Sequence, residues 1–386
     1  MNAGSVDVSI VTSGHDVADA RLHRVTAGLL REGLSVEVLG LGMPQDAPEG
    51  AAARVRPRPG LAGRLLLALV LPWKARGTTL FVLDPDALLG ARLATLVRRR
   101  RLVADVHEDY AALVGDRAWA SGVVGRLARM LVGAATSVAS RCDLTVVADD
   151  HVPPLGARRR LVVRNEPDPA MLPVDVVPSE TPRAVYVGDV RRSRGLAAML
   201  EALEGAPEWT LDVVGPVASG DQAWLAQRLA DSPDLSARVR WHGRLTPRRS
   251  WEVAAGAWAG FCLLEPTPAF LDAVPSKLYE YLAAGIVPVV SDLPRQRQLV
   301  RDAGSGAIVA DAVGAGAALV ALEGDPVERS RASAAGRSWS AASMPASSGA
   351  SGVGASGGGA GGAVGASGGG TAYDRLAVAV RELSRG

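Results

Sequence analysis

"EPDPAMLPVDVVPSETP", residues 166–182, packs five prolines into a stretch of 17 residues. Each proline fixes its own φ and lacks an N–H, so neither a regular helix nor an inner strand can run through it. The stretch reads as a linker. Before it, short apolar runs alternate with helical stretches: VDVSIVT (6–12), SVEVLGL (35–41), LFVLD (80–84), RLVADV (101–106), LTVVA (144–148) and RLVVRN (160–165). After it the pattern restarts with AVYVGDV (184–190), TLDVVG (210–215), VRWHG (239–243), AGFCLLE (259–265), VPVVSD (287–292) and GAIVA (306–310). Short, wholly apolar runs separated by helices predict parallel sheets covered on both faces. The expected fold class is therefore α/β, with two doubly wound, Rossmann-like domains facing across a cleft.

The boundaries follow from the same reading. Residues 1–166 form the first domain, 167–183 the proline-rich linker and 184–340 the second domain. From 341 to 370 the chain is almost entirely Ala, Gly and Ser, a flexible insert in expectation because it has too little apolar surface to order itself. Residues 371–386 resume helical periodicity through Tyr373, Leu376, Val380 and Leu383, and this final helix is expected to dock on the first domain.

Composition sets the outer limits. Apolar residues are 48% and charged residues 21% of the chain, a globular balance. A formal net charge of +2 gives no global case for nucleic acid. Cys142 and Cys262 have neither metal-site nor disulfide spacing and suit a reducing cytoplasm. The N-terminus shows no pattern of a cleaved leader. One run stands out: LLLALVLPW (65–73), flanked by Arg54, Arg56, Arg58, Arg64, Lys74 and Arg76. It is too short to span a bilayer. It reads either as a buried helix or as a surface leaning on the inner face of a membrane.

Ligands of open α/β sheets bind beyond the C-terminal ends of the strands. After AVYVG come Asp189, Arg191, Arg192, Arg194 and Gly195, then a helix. Gly188 and Gly195 at the two ends of this turn let backbone N–H groups approach an anion, and the arginines add full charges. That combination predicts a diphosphate seat. Further on, Pro275 and Ser276 open a helix that Gly285 ends, with Ser276 expected as its cap. Lys277 is one of two lysines among 42 basic residues. Near a helix entrance it would meet a phosphate as a compact point charge. Glu280 lies one turn from Ser276, where its carboxylate could accept both hydroxyls of a ribose. The plainer alternative is a Lys277–Glu280 pair within the helix. His107 follows RLVADV and is expected to point into the cleft. Glu108 beside it would either orient an acceptor or cap a helix.

The segment "PSKLYEYLAAGIVPVVSD" (275–292) resembles the donor-binding segment of glycosyltransferase family 4. "VYVGDVRRSRGLAAMLEAL" (185–203) is similar to that family's diphosphate-gripping turn, with Asp189 where an Arg is usual and Arg194 where a Lys is usual. "DARLHRVTAGLLREGLSVEVLGLG" (19–42), "DPDALL" (84–89) and "DVHEDY" (105–110) look like its first-domain signatures, with Leu83 where a His is often found. The resemblance spans most of residues 6–340. It implies a GT-B fold and a retaining transfer of sugar from a nucleotide diphosphate donor, UDP- or GDP-linked, without cofactor or obligatory metal. The acceptor would be a hydroxyl on a saccharide, a lipid-linked molecule or a small molecule. By the same resemblance Glu280 holds ribose, Asp272 stands in for the first carboxylate of a Glu-x7-Glu pair, and Arg194 with Arg191 grips the diphosphate. His107 lies near the transferred sugar, and Gly14 lets acceptor and phosphate approach the backbone. Rival readings are a sugar-nucleotide epimerase or hydrolase on the same fold, and a nucleotide-sugar-binding scaffold without catalysis. A nicotinamide oxidoreductase is disfavoured, since TSGHDVAD after the first strand has a single glycine.

Overall fold

The computed structural model describes residues 6–115, 122–173, 176–343 and 371–385. Two wholly parallel sheets form its frame. The first contains β1 (Val8–Asp16), β2 (Val36–Leu41), β3 (Ala52–Arg56), β4 (Thr79–Val82), β5 (Arg101–Val106), β6 (Leu144–Val147) and β7 (Arg160–Val162). Their spatial order is β3-β2-β1-β4-β5-β6-β7. The second contains β8 (Arg183–Val187), β9 (Thr210–Val214), β10 (Val239–Gly243), β11 (Ala259–Cys262), β12 (Val287–Ser291) and β13 (Ala307–Val309), in the order β10-β9-β8-β11-β12-β13. The inner strands are buried along their length, as the uniformly apolar runs require.

Helices cover both faces of each sheet. In the first domain one apolar layer joins Leu22, Val25 and Leu29 to Phe81 and Val103. The other joins Ala68, Leu71, Leu88 and Ala135 to Val82 and Leu102. The second domain repeats the plan, with Trp209, Met199 and Phe261 on one side and Tyr281, Leu278 and Val290 on the other. Helix Ala372–Arg385 joins the first domain's core, where Tyr373, Leu376 and Val380 are fully buried. It approaches helix Ala20–Arg31 so closely at Gly28 that a Cβ there would stand 2.7 Å from the Tyr373 carbonyl oxygen.

Several expectations need adjusting. Edge strand β3 has no counterpart among the predicted strands. Helix Pro326–Ser343 runs three residues past the boundary expected at 340. The remainder of the Ala/Gly/Ser segment, residues 344–370, lies outside the described residues. Helix Leu61–Lys74, which carries LLLALVLPW, is buried on one side only: Ala68 and Leu71 face the core, while Leu65, Leu66 and Leu69 are exposed. Among the described residues no helix is long and apolar enough to cross a membrane.

Candidate active site

Each sheet reverses its strand order once at its centre, between β1 and β4 and between β8 and β11. Such switch points open a crevice at the strand C-termini.

In the first domain, β1 and β4 stay in register to Val11 and Val82, and the next residues build a charged floor. Asp84 Oδ2 accepts from Thr12 Oγ1 (2.6 Å), Ser13 N (2.8 Å) and Gly14 N (3.1 Å). Its Oδ1 lies 2.9 Å from His15 Nδ1. Burial opposes charge on the His15 ring, but the Asp84 carboxylate outweighs it and holds the imidazole up at about 9. Burial likewise opposes ionisation of Asp84, yet His15 and the three donors hold it well below the usual carboxylate range. At Gly14 a Cβ would meet the Arg64 guanidinium and Asp84 Oδ1, so a larger residue would have to displace those side-chain ends. The atoms that crowd Gly14 here belong to Arg64 and Asp84, whereas the expected approach is by acceptor and phosphate.

The end of β5 supplies a second ionic unit. Asp105 receives a two-pronged bond from Arg21, Nε at 2.8 Å and Nη2 at 2.7 Å, and lies 3.0 Å from His107 Nε2. Arg21 also donates to the Val163 carbonyl and to Asn165 Oδ1. Buried though it is, Asp105 stays ionised because Arg21 and His107 surround it. The His15 and His107 rings stand 5.1 Å apart. Both line a cleft of about 440 Å³, together with Arg24, Arg64, Glu108, Tyr110 and, from the second domain, Ser276. His107 and Glu108 thus lie where expected. Ser276 lines the cleft but is not the expected cap: Pro275 occupies that position and Ser276 is the first helical residue.

In the second domain Gly188 takes a φ of +136° at the end of β8, and Gly195 a φ of +90° before helix Leu196–Glu204, where a Cβ would run into the Leu263 carbonyl. Lys277 is buried, and its Nζ has no hydrogen-bond partner. The ammonium stands 3.4 Å from the centre of the Tyr186 ring and faces the open side of Gly188. Burial, helped by the Arg194 charge, brings it down to about 7. The Lys277–Glu280 pair considered as an alternative is not formed. Arg194 lies over the Phe270 ring, and Arg191 reaches Asp189 at 3.4 Å. Arg192, counted among the three cations of the turn, is instead tied back to Asp221 at 2.8 Å and stacked on Trp224.

Glu280 already has a partner. Its Oε1 takes a bond from Arg24 Nη1 (3.1 Å) across the domain boundary, and both side chains are buried. Burial holds Glu280 above the ordinary carboxylate range, only partly offset by Arg24. Asp272 is exposed after the short helix Pro268–Leu271, and its backbone carbonyl accepts from Arg295. It is not gathered with Lys277 and Glu280.

Sequence reasoning named none of His15, Arg21, Arg24, Asp84 or Asp105 as a site residue, although Arg21, Arg24, Asp84 and Asp105 lie within its quoted signatures. Asp84 and Asp105 each close an apolar strand, and a carboxylate at that point was the available signal.

Residues 172–339 match the family model described as glycosyl transferases group 1. No curated protein matches the chain. The sucrose-phosphate synthase of Thermosynechococcus elongatus superposes with a TM-score of 0.64 at 13% identity, covering 87% of this chain and 94% of that one. The fold is GT-B. HepE of Anabaena in complex with UDP-glucose superposes on the same GT-B frame at 0.61 with 14% identity, covering 87% and 94%. WaaG, a glycosyltransferase involved in lipopolysaccharide biosynthesis, does so at 0.58 with 15% identity, covering 86% and 95%. In this chain the two switch-point crevices of the GT-B frame are bridged by Arg24 and Glu280.

Proposed function

We propose that the protein is a glycosyltransferase, similar to family 4, that moves a sugar from a UDP- or GDP-linked donor to a hydroxyl acceptor in the cytoplasm. The reading includes retention at the anomeric carbon and needs neither a cofactor nor an obligatory metal. One observation carries it: Lys277, a buried ammonium without a hydrogen-bond partner, faces Gly188 beside Arg194. Held only over the Tyr186 ring, this buried lysine is costly to charge, and an anion entering between Lys277 and the glycine turn would relieve that cost. The family match over residues 172–339 supports the same assignment.

The chemistry then follows from charge. As the bond between anomeric carbon and diphosphate oxygen lengthens, negative charge grows on that oxygen. Lys277, Arg194 and Arg191 would stabilise it more in the transition state than in the ground state. The acceptor hydroxyl forms the new C–O bond on the face the diphosphate leaves and passes its proton to a departing phosphate oxygen. His107, steadied by Asp105 and Arg21, lines the acceptor side with Glu108. Glu280 would receive the ribose hydroxyls, sharing or giving up its bond to Arg24.

The test is turnover with UDP- and GDP-linked hexoses against a panel of hydroxyl acceptors, with the product's anomeric configuration read by NMR. Acceptor-dependent release of the nucleoside diphosphate with unchanged configuration is expected. Release that ignores the acceptor, or an epimerised donor, would favour a hydrolase or epimerase. Donor binding with no turnover would favour a scaffold.

A further inference from the structure

Three helices of the first domain, Leu61–Lys74, Pro85–Arg98 and Gly122–Ala139, lie side by side on one face of the sheet. Their inner faces make a single apolar layer through Ala68, Leu88 and Ala135. Their outer faces are apolar as well. On the middle helix Leu89, Leu93, Leu96 and Val97 recur at helical spacing and are all exposed, Val97 to 64%. On the third helix Val123, Leu127 and Leu131 do the same, with Met130 exposed to 71%. Leu65, Leu66 and Leu69 extend the stripe on the first. Isolated exposed leucines are ordinary on a protein surface; three neighbouring stripes are not.

The charge on these helices is one-sided. Apart from Arg64, which is paired with Asp86 at the cleft, they carry five basic residues, Lys74, Arg92, Arg98, Arg126 and Arg129, and the middle one runs on into Arg99, Arg100 and Arg101. Their single acidic residue, Asp86, is taken up by bonds from Ser13 and Arg64. Across the whole chain acids nearly cancel bases, so this cationic rim is a local concentration. An apolar stripe rimmed by arginines is complementary to acyl chains beneath anionic headgroups. A second copy of the chain would bring the same cations face to face. The segment 344–370 offers only Met344, Val353 and Val364 as larger apolar residues to cover the stripes.

We propose that this three-helix face seats the protein on an anionic lipid bilayer. The docking does not depend on the transfer reading. Arg64 and Pro85, near the starts of the first two helices, line the cleft, so the seated protein would open its cleft beside the headgroups. If the transfer reading also holds, a lipid-linked hydroxyl is the acceptor class that this geometry favours.

The test is flotation of the full chain with vesicles of phosphatidylcholine alone or mixed with phosphatidylglycerol. Binding to the mixed vesicles, weakened by salt, is expected. Combining Leu66→Glu, Leu93→Glu and Leu127→Glu should lower the bound fraction by about tenfold or more. Val313→Glu, at an exposed position of the second domain, should leave it unchanged. Absence of flotation for the wild type, or equal flotation of the triple variant, would overturn the proposal. So would a dimer, measured by light scattering, that the triple variant dissociates without any lipid effect. Nucleoside diphosphate binding by the triple variant, measured alongside, reports separately on the cleft.

Discussion

Arg24 of the first domain and Glu280 of the second meet across the cleft at 3.1 Å, each less than a tenth exposed. The pair joins helix Ser276–Ala284 of the second domain to helix Ala20–Arg31 of the first. Two further interdomain pairs, Arg295 with Asp149 at 2.9 Å and Arg244 with Asp16 at 3.9 Å, sit in more exposed surroundings.

Removing one partner of a buried pair strands the other charge, at a cost of about 3 kcal/mol. Arg24→Met should therefore lower the thermal midpoint by roughly 6–10 °C for domains of this size. Calorimetry checks this. A midpoint within about a degree of wild type would mean the link is absent in solution.

Asp105 and His107 are separable by the same logic. Asp105→Asn leaves Arg21 buried without its counter-charge and should destabilise the first domain by about 3 kcal/mol or more. His107→Gln removes only the partly exposed end of the network. It should change stability by under about 1 kcal/mol while lowering turnover by about a hundredfold, if His107 acts on the reacting groups. Equal losses of stability from the two substitutions would make His107 a structural residue.

Legibility in the sequence followed the physics of each element. The inner strands were readable because burial on both faces demands continuous apolar runs, and RLVADV matches β5 residue for residue. Strand β3, "AARVR", was not, because an exposed edge strand takes its conformation from pairing with β2 and needs no apolar signature. Part of the candidate site could be grouped from local spacing alone: Lys277 and Glu280 share one helix, and Gly188 and Arg194 share one turn. Arg24–Glu280 and His15–Asp84 were invisible, since each joins residues far apart in the chain whose meeting only the tertiary arrangement decides. The outer stripes were half legible. LLLALVLPW drew notice as a run, whereas the spaced leucines of 85–98 and 122–139 carry the period of any amphipathic helix.

The depressed Lys277 gives a pH dependence with a definite sign. Its folded value is about 7 against an ordinary 10.5, so between those limits the unfolded chain holds the extra proton. Stability should therefore rise with pH across that window. A bound diphosphate would favour the charged ammonium and reverse the shift. Binding near pH 8 should take up close to one proton, and affinity should fall as pH rises further. Calorimetric titration in buffers of different ionisation enthalpy measures this, and Lys277→Met should abolish the uptake. Proton uptake that persists in Lys277→Met would assign it to another group.

His15 carries the opposite sign. Its folded value is raised to about 9, so its pairing with Asp84 stabilises the protein fully below pH 6.5 and the contribution disappears as pH climbs through 9. The midpoint difference between wild type and His15→Gln should shrink steadily from pH 6 to pH 9.5. A constant difference over that range would leave the ring uncharged throughout.

The central claim is that Lys277, Gly188 and Glu280 form a nucleoside diphosphate site. Its most direct test is a thermal-shift titration with UDP, GDP, TDP, ADP and NAD on wild type, Lys277→Met and Glu280→Ala. A ligand at a hundred times its dissociation constant adds about 2.7 kcal/mol to the native state. One nucleoside diphosphate is expected to raise the wild-type midpoint by several degrees and to leave both variants unmoved. No shift with any diphosphate, or a shift with NAD alone, would contradict the account.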